Sequence, residues 1–78
     1  MSNRQRGTFM PVIFLNPGET KAIRHISGPP ELRQRLQDLG FVPGSPVTLV
    51  GSLSGNLILQ VRDSRIALGQ GMARHIQV

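Results

Sequence analysis

The sequence predicts a mostly β fold: a small closed barrel of five short strands, with one short amphipathic helix after the first strand. Three observations carry this reading. Apolar and polar residues alternate in short runs, clearest from Val47 to Leu53 and from Leu57 to Arg62, which is the period of half-buried strands. Only the stretch from Glu31 to Leu39 has helical spacing, with Leu32, Leu36 and Leu39 at i, i+4 and i+7. Turn signals rich in glycine, proline and asparagine separate the runs. Five short strands in 78 residues favour closure into a barrel, because closure removes exposed sheet edges.

The elements follow in order. Residues 1–8 read as a flexible basic tail, and residues 9–78 as a single domain. Phe9 to Leu15 is an apolar run broken by Pro11. It predicts a short helical turn laid over the core, or an exposed patch for a partner. The run is far below the roughly 20 residues that span a bilayer and carries no small-residue cleavage site, so neither a signal peptide nor a membrane span is expected. Asn16-Pro17-Gly18-Glu19 has the order of a type II turn. Thr20 to Ile26 reads as the first strand, although adjacent Ala22 and Ile23 spoil its alternation.

The helix comes next. Pro29 suits its first position, with Gly28 as cap and Glu31 at N3. Glu31 precedes Arg35 by one helical turn, the favourable order for an ion pair worth about 0.2–0.5 kcal/mol. Gly40 is the expected left-handed stop, which sets Phe41 against Leu36 across the cap. Pro43-Gly44 makes a second type II turn. Leu32, Leu36, Leu39, Gly40, Phe41, Pro43 and Gly44 thus form a structural unit without reactive groups.

Val47, Leu49, Gly51 and Leu53 then define one buried strand face. Ser54-Gly55-Asn56 signals a hairpin, and Leu57, Leu59 and Val61 line the return strand. Arg62-Asp63-Ser64 is another tight connection into a strand from Arg65 to Leu68. Gly69 to Arg74 has room for one helical turn, and His75 to Val78 closes the chain as the last strand.

Composition narrows the function. The net charge is +5, from eight arginines and one lysine against four acids. That balance favours an anionic partner, but the basic residues are scattered and could equally make a solvated surface. Three phenylalanines are the only aromatics, too few for the stacking platforms that read single-stranded nucleic acid or the grooves that read proline-rich peptides. Without cysteine, disulfides and thiolate metal sites are excluded. No phosphate loop or nucleophile elbow is present, so no catalytic residue and no cofactor are expected. His25 and His75, on the first and last strands, are the candidate metal ligands by residue type, but no acid flanks either one. They read as strand histidines, and no metal residue is assigned.

Leu36-x-x-Leu39-Gly40-Phe41-Val42-Pro43-Gly44 resembles the L-x-x-L-G-h-x-P-G signature of FeoA domains, the small cytoplasmic partners of the ferrous iron transporter FeoB. Leu15-Asn16-Pro17-Gly18-Glu19 is similar to that family's opening L-x-P-G-E. Arg65-Ile66-Ala67-Leu68, then Met72-Ala73 and Ile76-x-Val78, resemble its closing pattern. Gly69 and Gly71 stand where the family usually carries charge. The resemblance implies an SH3-like barrel, a non-enzymatic cytoplasmic adaptor, a FeoB-type transporter as partner and, for the family at large, transition-metal binding that no residue here carries over. It leaves partner contacts to the surface reading. Those are the exposed helix residues Arg33, Gln34, Arg35 and Gln37, or the apolar segment Val12, Ile13 and Phe14, which could instead face a second copy. The alternative is a regulatory or nucleic-acid-binding module like the C-terminal SH3-like domain of iron-dependent repressors. Recruitment to the inner face of the membrane would come through the partner.

Overall fold

Two glycine turns and a capped helix steer the chain through its first half. The computed structural model describes residues 9–78, so the basic tail at 1–8 lies outside the described residues. Val12–Phe14 forms a single 3-10 turn opened by Pro11. Glu19 N–H closes the first type II turn on the Asn16 carbonyl at 2.9 Å, with Gly18 at φ 90°. Strands β1 (Thr20–Ala22) and β2 (His25–Ile26) follow, then helix α1 (Pro30–Asp38). Ser45 N–H closes the second type II turn on Val42 at 3.1 Å. Strands β3 (Pro46–Leu53), β4 (Asn56–Val61) and β5 (Ser64–Gly69) form an antiparallel meander. Helix α2 (Gln70–Ala73) and strand β6 (Ile76–Gln77) end the chain.

The predicted first strand is two strands in two sheets. Sheet order is β1-β3-β4-β5 in one and β2-β6 in the other, so the sheets do not close into one continuous barrel. The handover occurs at Ile23 and Arg24. Ile23 N–H still bonds the Ser45 carbonyl at 2.9 Å, while Arg24 N–H already bonds Gln77 at 2.7 Å. A strand that changes partners must re-phase its faces, and the slip shows at Arg24 and His25, which are both exposed between buried Ile23 and Ile26. Met10 and Val78 exchange backbone bonds at 3.2 and 2.8 Å, which ties the start of the described chain to its end.

Helix α1 starts one residue later than expected: Pro29 is the cap and Pro30 the first helical residue. Pro29 lacks a side-chain cap, and a proline at N1 loses nothing, because its missing N–H would have no intrahelical partner. The C-terminus matches expectation closely. Gly40, at φ 106°, donates to Gln37 at 2.9 Å and Phe41 to Leu36 at 3.0 Å, the two bonds of a Schellman cap. Leu36 and Phe41 are fully buried. Leu39 is not: it is 38% exposed, because as the C-cap residue it sits where the backbone begins to leave the helix.

The alternation in β3 also fails at one point. Leu49 pairs with Leu59 but Gly51 with Ile58, leaving Val50 as an extra residue. Such a bulge moves every later side chain to the opposite face. Gly51 and Leu53 therefore share the outer face with Ile58 and Asn56, and Leu53 is 69% exposed. The core lies between the sheets and α1. Its largest fully enclosed members are Phe41, Ile23, Leu36, Leu59, Ile76, Val12, Val47 and Val61.

Candidate functional site

The outer side of α1 carries the candidate site. Helical spacing turns Leu36 inward and therefore turns Arg33, Gln34 and Gln37 outward. These three, with His25 and Ile26 from β2, Pro30, and Pro43 from the second turn, line an open cleft of about 370 Å³. The turn matters to this geometry because it carries Pro43 back beside the helix that precedes it. Gln34 is held in place by Nε2 donating to Asp38 Oδ1 at 2.9 Å. The walls thus offer a guanidinium, two amides and an imidazole, a set that can donate several hydrogen bonds to carboxylate or carbonyl oxygens.

Arg35 lies elsewhere. It lines a second groove of about 330 Å³ with Glu31, Leu32, Pro29 and Met72. The four helix residues taken from the sequence are all exposed, but they serve two flanks. The apolar segment does not form one surface either. Val12 is fully buried, Ile13 half-buried, and only Phe14, at 64% exposure, faces out. The 3-10 turn rotates successive residues apart, so Val12 packs in the core.

Other arginines are already engaged. Arg62 Nη2 donates to Ser45 Oγ at 3.2 Å. Arg65 Nε donates to Gln60 Oε1 at 2.8 Å. Arg24 stands 5.1 Å above the Phe9 ring, within cation–π range. Of the arginines, Arg33 is the one that lines the cleft.

The two histidines part ways. β2 and β6 do pair, with His25 opposite Gln77. But His25 opens onto the cleft, while His75 Nδ1 sits 3.2 Å from Ser27 Oγ and beside Gly28 and Leu32. Among the described residues no three of His, Cys, Asp or Glu gather as a metal site, and no helix is long and apolar enough to cross a membrane. His25 and Pro43 were not read as wall residues from the sequence. Each lies on a different element, and only the β2-α1-turn path joins them.

A small SH3-like domain with a helix-lined cleft is the class these features define. The FeoA domain model matches residues 10–78. The chain belongs to the FeoA family, which is associated with ferrous iron transport. A Methanocaldococcus jannaschii protein named as an Fe(2+) transport protein A is 31% identical over 68 residues, covering 87% of this chain and 83% of that protein. The crystal structure of an iron uptake regulatory protein (FeoA) superposes with TM-score 0.83 at 30% identity, over 91% of this chain and 95% of the other. Stenotrophomonas maltophilia FeoA, solved with zinc and described as an SH3 domain protein, gives 0.65 at 25% identity, over 86% of each chain. A manganese-dependent transcriptional repressor shares the fold alone, at 18% identity and TM-score 0.78, over 90% of this chain and 40% of its own length.

Proposed function

We propose that this chain is a non-enzymatic adaptor that docks on the cytoplasmic part of a FeoB-type ferrous iron transporter and supports ferrous iron uptake. The observation that carries the reading is the division of α1. Its Leu36 serves the core with Phe41, and its outward Arg33, Gln34 and Gln37 line an open cleft with His25. A surface that offers donors and a cation suits an acidic protein face. The net charge of +5 would also favour the anionic inner leaflet beside which such a transporter sits. The protein works in the cytoplasm and reaches the membrane through its partner.

The test is co-purification of the full chain with the full-length transporter. Retention by the transporter, and its loss in an Arg33→Ala/Gln37→Ala double variant, supports docking through this cleft. A folded chain that never co-purifies overturns the adaptor reading. Steeply salt-dependent binding to duplex DNA would favour the regulatory module instead.

A further inference from the structure

Among the described residues, β5 is paired on one side only, with β4. Two tight connections fix which of its backbone groups face outward. Ser54-Gly55 closes β3 and β4 at Leu53 opposite Asn56, and Arg62-Asp63 closes β4 and β5 at Val61 opposite Ser64. The closing pair of a two-residue hairpin exchanges its hydrogen bonds, and bonding alternates from there. Both loops give β4 the same phase: Asn56, Ile58 and Gln60 bond toward β3, and Leu57, Leu59 and Val61 toward β5. Ser64, Ile66 and Leu68 are therefore engaged inward. Arg65, Ala67 and Gly69 turn their N–H groups outward, and no backbone bond from elsewhere in the described residues reaches them. All three residues are exposed.

Sheet edges are usually guarded by proline, a bulge or a charge. β5 has no proline, and its ladder with β4 has no register shift. Its one charge is turned aside: Arg65 Nε bonds Gln60 Oε1 at 2.8 Å, back across β4.

We propose that this edge pairs with the same edge of a second copy of the chain, antiparallel and centred on Ala67, so that two four-stranded sheets become one. The register is self-complementary. Ala67 N–H donates to the Ala67 carbonyl of the other copy, and Gly69 N–H to its Arg65 carbonyl. Arg65 then faces glycine rather than another arginine, so no like charges oppose. Ile66 meets Leu68 on the core-facing side and extends the apolar layer, while alanine against alanine leaves the outer face uncrowded. Only this register uses all three outward residues. A ladder centred on Arg65 would set two guanidinium groups opposite each other, and one centred on Gly69 would run into α2, which begins at Gln70. The pairing is independent of docking through α1.

Sedimentation equilibrium on the full chain, from about 10 μM to 1 mM, covers the range expected of a small interface, and a reversible monomer–dimer equilibrium is expected. Ala67→Lys places two lysines opposite one another and weakens association by roughly fivefold. Ala67→Glu does the same, and an equimolar mixture of the two variants restores it. Only a register in which residue 67 faces itself gives that rescue. As a second probe, Ala67→Cys in this cysteine-free chain forms a cross-linked dimer under mild oxidation, since directly opposed Cα atoms lie within disulfide range. Ala22→Cys, on the opposite edge strand β1, does not. A chain that stays monomeric, association unchanged by Ala67→Lys, or equal cross-linking at positions 22 and 67 overturns the pairing.

Discussion

The two sides of α1 differ in what they tolerate. Inward, Leu36 is fully enclosed and Phe41 closes the cap behind it. Outward, Arg33 and Gln37 face an open cleft and hold no place in the core. The family's recognisable pattern, Leu36 through Gly44, lies mostly on the inward side or in the turn. What identifies the family is therefore what folds it, and what would meet a partner carries little signature of its own.

The contrast breaks most visibly at Leu36. Leu36→Ala removes a fully buried side chain and should cost about 2–5 kcal/mol. In a domain of this size that lowers the melting temperature by roughly 10 °C or more, measurable by circular dichroism. Gly40→Val should cost about 2 kcal/mol, because a β-branched residue resists φ 106°. Space is not the obstacle, since a Cβ there would meet Val61 at an ordinary 3.7 Å. An unchanged melting temperature would show that the cap is not left-handed in solution.

Gly28→Ala sharpens the comparison from the loop that launches the helix. A Cβ there would lie 3.1 Å from His75 Nδ1 and 3.2 Å from Leu32, at φ 103°. The exposed loop can shift in part, so a cost of about 1–2 kcal/mol is expected, with the His75 resonances moved in NMR spectra. On the outward side, Arg33→Ala/Gln37→Ala should change stability by no more than about 0.5 kcal/mol. Leu53→Ser should be equally mild, because the bulge has already put Leu53 in solvent.

Local chemistry made much of the fold readable. The order of strands and helix, the two type II turns and the Schellman cap each depend on neighbours within a few residues, and each is found. The split of the first strand was not legible: Ala22 and Ile23 point to opposite faces as in any strand, and the change of partner falls after them, where Arg24 and His25 are both exposed. The bulge at Val50 left only a faint trace, an apolar Val50 beside Leu49 and a glycine inside the strand, and the alternation of Val47, Leu49, Gly51 and Leu53 outweighs it. Register with β4, not the β3 sequence, decides which of them is buried. The cleft was half readable: helical spacing exposes Arg33, Gln34 and Gln37, but tertiary path alone brings His25 and Pro43 beside them. The 3-10 turn hid Val12 for a similar reason, since an apolar run does not state which residue the core takes.

The most direct test of the division within α1 is binding of the Arg33→Ala/Gln37→Ala variant to the full-length transporter, measured together with its melting temperature. Lost binding at an unchanged melting temperature is the expected result. Undiminished binding by this variant would contradict the assignment of the outward face as the docking surface.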